Sequence, residues 1–79
     1  MLIDITDATY IEEFKIKIIF ENGANGIIDF SEYCQKGGVF EQLKDESYFK
    51  QFYINPDLGT ICWPNGLDIA PETLLEKIR

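Results

Sequence analysis

Three glycine-closed bends, Glu21-Asn22-Gly23, Asn55-Pro56-Asp57-Leu58-Gly59 and Trp63-Pro64-Asn65-Gly66, constrain this chain more than any other feature. Each dictates which residues of the flanking strands face one another, and a one-residue slip would carry every apolar side chain to the opposite face. Phe14, Ile16, Ile18 and Phe20 alternate with Lys15, Lys17 and Ile19 over residues 13–20, the period of a half-buried strand. A two-residue Asn22-Gly23 turn would set inward Ile18 against outward Ile27. A three-residue loop with Gly23 in the left-handed region instead pairs Phe14 with Phe30, Ile16 with Ile28, Phe20 with Ala24 and Lys15 with Asp29. The second bend pairs Ile54 with Ile61 and Phe52 with Trp63, leaving Tyr53 and Cys62 on the other face. In the third, Pro64 presets φ and Gly66 accepts a positive φ, so Trp63 falls by Leu67, Ile61 by Ile69 and Cys62 by Asp68. The last two bends agree on one apolar face: Phe52, Ile54, Ile61, Trp63, Leu67 and Ile69.

Ile3 and Ile5 alternate with Asp4 and Thr6, which predicts a strand from residue 2 to about 9, joined to the next through Tyr10-Ile11-Glu12. The helical signals are short. Ser31 is placed to cap a helix over Glu32–Lys36 with Gly37 as its exit, and Asp45 to cap a second through Phe49 and Lys50, anchored by Phe40, Leu43 and Phe49. Pro71 suits the first position of a terminal helix that docks through Leu74 and Ile78, with Lys77 and Arg79 at its negative end. The expected fold is α+β: a small antiparallel sheet of hairpins, short helices between them and a C-terminal helix, in a single domain over residues 1–79.

Composition narrows the function classes. Fourteen acidic against seven basic side chains leave a net charge of −7 in 79 residues, a surface that repels phosphate backbones and disfavours direct nucleic-acid binding. No apolar run is long enough to cross a membrane, and the start of the chain lacks the basic and apolar segments of a secretory leader, so a cytoplasmic location is expected. Histidine is absent, which removes the commonest general base and metal ligand. Cys34 and Cys62 stand alone rather than in a CxxC pair, the pattern of buried free thiols.

The stretch from Gly37-Gly38-Val39-Phe40-Glu41-Gln42-Leu43-Lys44-Asp45 through Phe49 to Asn55-Pro56-Asp57-Leu58-Gly59-Thr60-Ile61-Cys62-Trp63-Pro64-Asn65-Gly66-Leu67-Asp68 resembles the bacterial domain-of-unknown-function family 2442. Phe20 to Gly23 matches the end of that family's first strand pair, and Trp63-Pro64-Asn65-Gly66-x-Asp68 is the most specific piece. The resemblance implies a small α+β domain, in some members followed by a helix-turn-helix domain that this chain does not contain. It also implies a gene beside one of another uncharacterised family, number 4160, the two resembling a toxin and antitoxin. No activity or catalytic residue is established for the family, so the resemblance implies none.

Candidate sites are weighed against plainer roles. Gly37-Gly38 is read as a joint between helical segments rather than a phosphate nest, because Glu41, Asp45 and Glu46 surround it and the lysine of a phosphate loop is missing. Asp4, Asp7, Glu12 and Glu13 lack the calcium-loop pattern and read as a solvated edge. Asp29 and Asp68 are conceivable as paired carboxylates, although Asp29 already has Lys15 as a partner. The two cysteines have no base to activate them, and Trp63 belongs to the core rather than to a ligand platform. These readings give no catalytic residue, no metal site and no cofactor. The second sheet face carries Tyr53, Cys62, Asp68, Ile19 and Ile27, an apolar strip rimmed by acids that is either covered by the chain's own helices or left for a partner. The expected function is an interaction module, antitoxin-like, whose partner is a basic protein encoded by a neighbouring gene; the alternative is a homodimerising structural or regulatory accessory domain.

Overall fold

The computed structural model describes residues 3–78. Five strands and four short helical segments form two antiparallel sheets around one core. The first sheet holds β1 (Ile5–Glu12), β2 (Lys15–Phe20) and β3 (Asn25–Asp29) in that spatial order, and the second holds β4 (Tyr53–Asn55) and β5 (Thr60–Cys62). Between them run α1 (Ser31–Cys34), a 3-10 helix (Gly38–Lys44) and α2 (Glu46–Phe49); α3 (Pro71–Lys77) ends the chain. The α+β architecture expected from the sequence is therefore present, with the hairpins split between two sheets.

All three bends close as the glycines require. β2 meets β3 with Lys15 opposite Asp29 and Ile16 opposite Ile28, while the Phe20 N–H donates to Ala24 O across a loop in which Gly23 has φ of 90°. β4 meets β5 with Tyr53 opposite Cys62 and Ile54 opposite Ile61. Beyond the third bend a single bridge joins Cys62 to Asp68, and the Trp63 N–H donates to Leu67 O at 2.9 Å. Ile16, Ile18, Phe30, Phe49, Ile61, Trp63 and Leu74 are all fully excluded from solvent.

The first hairpin departs from expectation. β1 spans Ile5–Glu12 instead of starting at Leu2, which lies outside the described residues, and Tyr10-Ile11-Glu12 is strand, not connection. The turn falls on Glu13 and Phe14, with φ of 47° and 65°. This is the type I′ geometry usually reserved for Asn-Gly, at a cost of about 1–2 kcal/mol per non-glycine residue. Tertiary contacts offset that cost: the Phe14 ring lies edge-on to Phe49 at 5.1 Å, and Phe14 O accepts the Phe30 N–H at 2.9 Å.

Helix starts and stops follow local chemistry. Ser31 is the first helical residue rather than the cap, because Asp29 Oδ1 accepts both its N–H and its hydroxyl; α1 then stops at Cys34, short of Lys36. Asp45 caps α2, accepting the Ser47 N–H at 3.0 Å. Pro71 opens α3, Leu74 is buried, and Lys77 forms an ion pair with Glu32 of α1; Arg79 lies outside the described residues. Ile78 rests on Gly26 of β3, where an added Cβ would lie 2.8 Å from Ile78 Cγ2.

Two outcomes test this packing. At about 0.05–0.15 kcal/mol per residue, a chain of this length is stable by about 4–12 kcal/mol. Phe49→Ala removes a ring worth about 3–5 kcal/mol and is expected to lower the melting midpoint followed by circular dichroism by about 12–40 °C. Gly26→Ala is expected to displace Ile78 for about 1 kcal/mol, speeding amide exchange in α3 while β1 to β3 keep their protection.

Candidate functional site

A concavity of about 510 Å³ opens between the 3-10 helix and the third bend. Gly38, Val39 and Gln42 form one wall; Asn65, Leu67 and Asp68 form the other. Gly37 and Gly38, with φ of 73° and 57°, turn the chain sharply between α1 and the 3-10 helix, which stay in contact, so the pair is the helical joint read from the sequence. Glu41 Oε2 lies beside Gly37, 3.7 Å from where a Cβ would stand, and places negative charge where a phosphate would bind.

Asn65 holds the opposite wall. Its Nδ2 donates to Gln42 Oε1 across the cleft at 2.8 Å, its Oδ1 accepts the Leu67 N–H at 3.0 Å, and its own N–H donates to the Tyr48 hydroxyl at 2.9 Å. The bend is thus tied both to the 3-10 helix and to α2. Val39, 70% exposed, projects an apolar side chain at the mouth, and Asp68 supplies a carboxylate to the lining.

Of the residues read as a partner surface, Tyr53, Cys62 and Asp68 are lateral neighbours on the second sheet, whereas Ile19 and Ile27 lie on the first. Tyr53, Asp68 and Ile27 are exposed and Ile19 is half-buried. Cys62 does not reach the surface, being 3% exposed: a small side chain on the middle strand, it is flanked in register by the larger Tyr53 and Asp68. Asp68 alone joins that row to the cleft. The sequence places Leu67 on the apolar face beside Trp63 and marks Val39, Gln42 and Asn65 as no site, because the 3-10 helix and the third bend meet only in the tertiary fold and no periodicity links them; the dense Trp63-Pro64-Asn65-Gly66 run and the Gly37-Gly38 pair are the available signals.

The other carboxylates are structural or solvated. Asp29 is held below the usual carboxylate range by its hydrogen bonds from Ser31, and Lys15 adds a smaller pull. It lies on a different sheet from Asp68. Asp4 packs against Gly59, whose φ of +66° and closeness to that carboxylate leave no room for a Cβ. Among the described residues no group of three His, Cys, Asp or Glu side chains is placed to hold a metal ion. Both cysteines are free and buried. Burial pushes each thiol up, with Asp29 adding to the rise at Cys34 and Asp68 at Cys62, the reverse of what a nucleophile needs.

Fold and site together define a two-sheet α+β domain with an open, acid-edged cleft between the 3-10 helix and the third bend. The chain belongs to the family described as protein of unknown function (DUF2442), whose model matches residues 5–79. No curated protein and no solved structure matches it. Among the described residues no helix is long and apolar enough to cross a membrane.

The thiols give a direct check on this geometry. Because the folded-state pKa of each is raised, their contribution to stability is complete below the unfolded thiol range of about pH 8.5 and is lost as pH climbs through the raised value. A disulfide-exchange reagent at pH 8 is expected to label neither cysteine of the folded protein within minutes and both in denaturant. Rapid labelling of the folded protein at Cys62 would mean that Tyr53 and Asp68 do not shield it.

Proposed function

We propose that this protein is a non-catalytic interaction module of the bacterial cytoplasm, resembling the antitoxin-like member of a pair, which binds a basic protein encoded by a neighbouring gene. The observation that carries this reading is an open cleft bearing a projecting Val39 and an acidic Asp68 on a chain of net charge −7. A shallow mixed surface of this kind suits a protein side chain or loop better than an enclosed small-molecule pocket would. Three of the seven cations are already engaged within the domain: Lys44 pairs with Glu41, Lys77 pairs with Glu32, and Lys50 lies over the Tyr10 ring at 4.9 Å. The uncompensated acidic field steers a basic protein toward the domain and repels nucleic acid and anionic membranes. The raised thiols and the scattered carboxylates support a role without catalysis.

Co-expression with the neighbouring gene product is expected to give a complex that co-purifies at low salt and whose association rate drops about tenfold or more between 20 and 300 mM salt. Asp68→Lys is expected to slow association several-fold, and Val39→Asp to speed dissociation. Two proteins that remain separate at low salt would remove this function.

A further inference from the structure

The first sheet ends unequally at its two sides. β1 is shielded as an edge: its register shifts between Ile5 and Asp7 and again between Tyr10 and Glu12, and the Ile5 N–H is taken by Gly59 O at 2.8 Å. Irregularities of this kind are how proteins keep a sheet edge from pairing with another chain. β3 has none. Its register with β2 is unbroken from Asn25 to Asp29, and Asn25-Gly26-Ile27-Ile28-Asp29 contains no lysine, proline or bulge.

Hydrogen-bond parity shows which groups of β3 are unused. Phe20 bonds Ala24 and Phe30 bonds Phe14, so Ala24, Gly26, Ile28 and Phe30 turn their backbone groups toward β2. Those of Asn25, Ile27 and Asp29 point the other way. Among the described residues no hydrogen bond engages the backbone N–H or C=O of these three. Ile27 is 56% exposed at the centre of this edge.

We propose that β3 is a strand-addition edge whose occupant is β3 of a second copy, antiparallel and centred on Ile27. That register sets Ile27 against Ile27 of the second copy on the two-fold axis, and Asn25 against Asp29 in both directions. Every pair is then of the type that exchanges two backbone hydrogen bonds. Charge favours the same register. No carboxylate faces a carboxylate, because neutral Asn25 stands opposite Asp29. The lateral neighbours on β2 are Lys17 beside Ile27 and Lys15 beside Asp29, with Glu12 of β1 on the far side of Lys15, so the net acidity of the chain is offset along this edge and does not hold two copies apart there. The edge is self-complementary, as an isologous two-fold contact requires, and the two three-stranded sheets become one of six strands. The proposal stands apart from the cleft and the basic partner proposed for it.

Sedimentation equilibrium of the full chain from 5 µM to 1 mM, paired with thermal melts that confirm folding, tests the edge. The wild-type chain is expected to dimerise within this range. Asn25→Asp, which places like charges opposite each other twice, is expected to weaken the dimer about tenfold, and Asn25→Lys, which faces Asp29 instead, to tighten it several-fold. Ile27→Lys is expected to leave a monomer. A folded wild-type chain that is monomeric at 1 mM overturns the proposal. So does a dimer whose dissociation constant ignores the sign of the charge at residue 25.

Discussion

The fold depends on the junction of Trp63 with Phe49. The indole N–H donates to Phe49 O at 2.9 Å, and the two rings touch at 5.8 Å between centroids. A buried indole needs a partner for its single donor, and the last carbonyls of a helix have no intrahelical one. Each supplies what the other lacks. The contact matters because α2 is only four residues long, far below the length at which a helix persists alone. Around the same ring Phe49 meets Phe14, Phe30, Tyr10 and Phe52 at 5.1 to 6.3 Å, so β1, the first turn, the end of β3 and the approach to β4 converge on one side chain.

That convergence explains what sequence reasoning could and could not reach. The registers of two hairpins and of the Trp63-Pro64-Asn65-Gly66 bend were legible because strand parity and glycine conformation are local rules, and tertiary packing agreed with them. The first hairpin was not. Its turn residues, Glu13 and Phe14, carry no turn chemistry, and their left-handed backbone is held by Phe49 and Phe30, which are remote in sequence. Ser31 lies one step inside the helix for a smaller reason: Asp29 accepts from its amide and its hydroxyl, and Phe30 O takes the Tyr33 and Cys34 N–H groups that a Ser31 cap would serve. At the candidate site, Asp68 is legible through its strand register, while Val39, Gln42 and Asn65 are neighbours only because the 3-10 helix meets the third bend.

The division into two sheets also changes the meaning of the second face. One continuous sheet would have presented Tyr53, Cys62, Ile19 and Ile27 as a single strip. With two, the residues separate, and the small Cys62 and Thr60 of β5 are buried between larger neighbours. The apolar groups left outside are single side chains, Val39, Tyr53, Ile27 and Leu58 among them. Isolated exposed apolar groups are ordinary on a soluble surface, so position must distinguish them: Val39 stands at a cleft and Ile27 on an unprotected edge.

Core and cleft are mechanically one unit. Tyr48, whose hydroxyl accepts the Asn65 N–H, immediately precedes Phe49, whose carbonyl accepts the Trp63 indole. Trp63 in turn begins the bend that carries Asn65, closed by the Gly66 N–H donating to Trp63 O. The wall of the cleft therefore hangs from α2 by two hydrogen bonds on adjacent residues, and α2 hangs from the core by the Phe49 ring. A ligand that grips Asn65 or Leu67 restrains α2, and anything that loosens Phe49 loosens the cleft wall. This coupling follows from sharing a short helix as anchor, since four residues cannot move at one end and stay fixed at the other. It also gives a physical reason for a tryptophan to stand beside the proline and glycine of this bend: the side chain that secures the core also aims the loop.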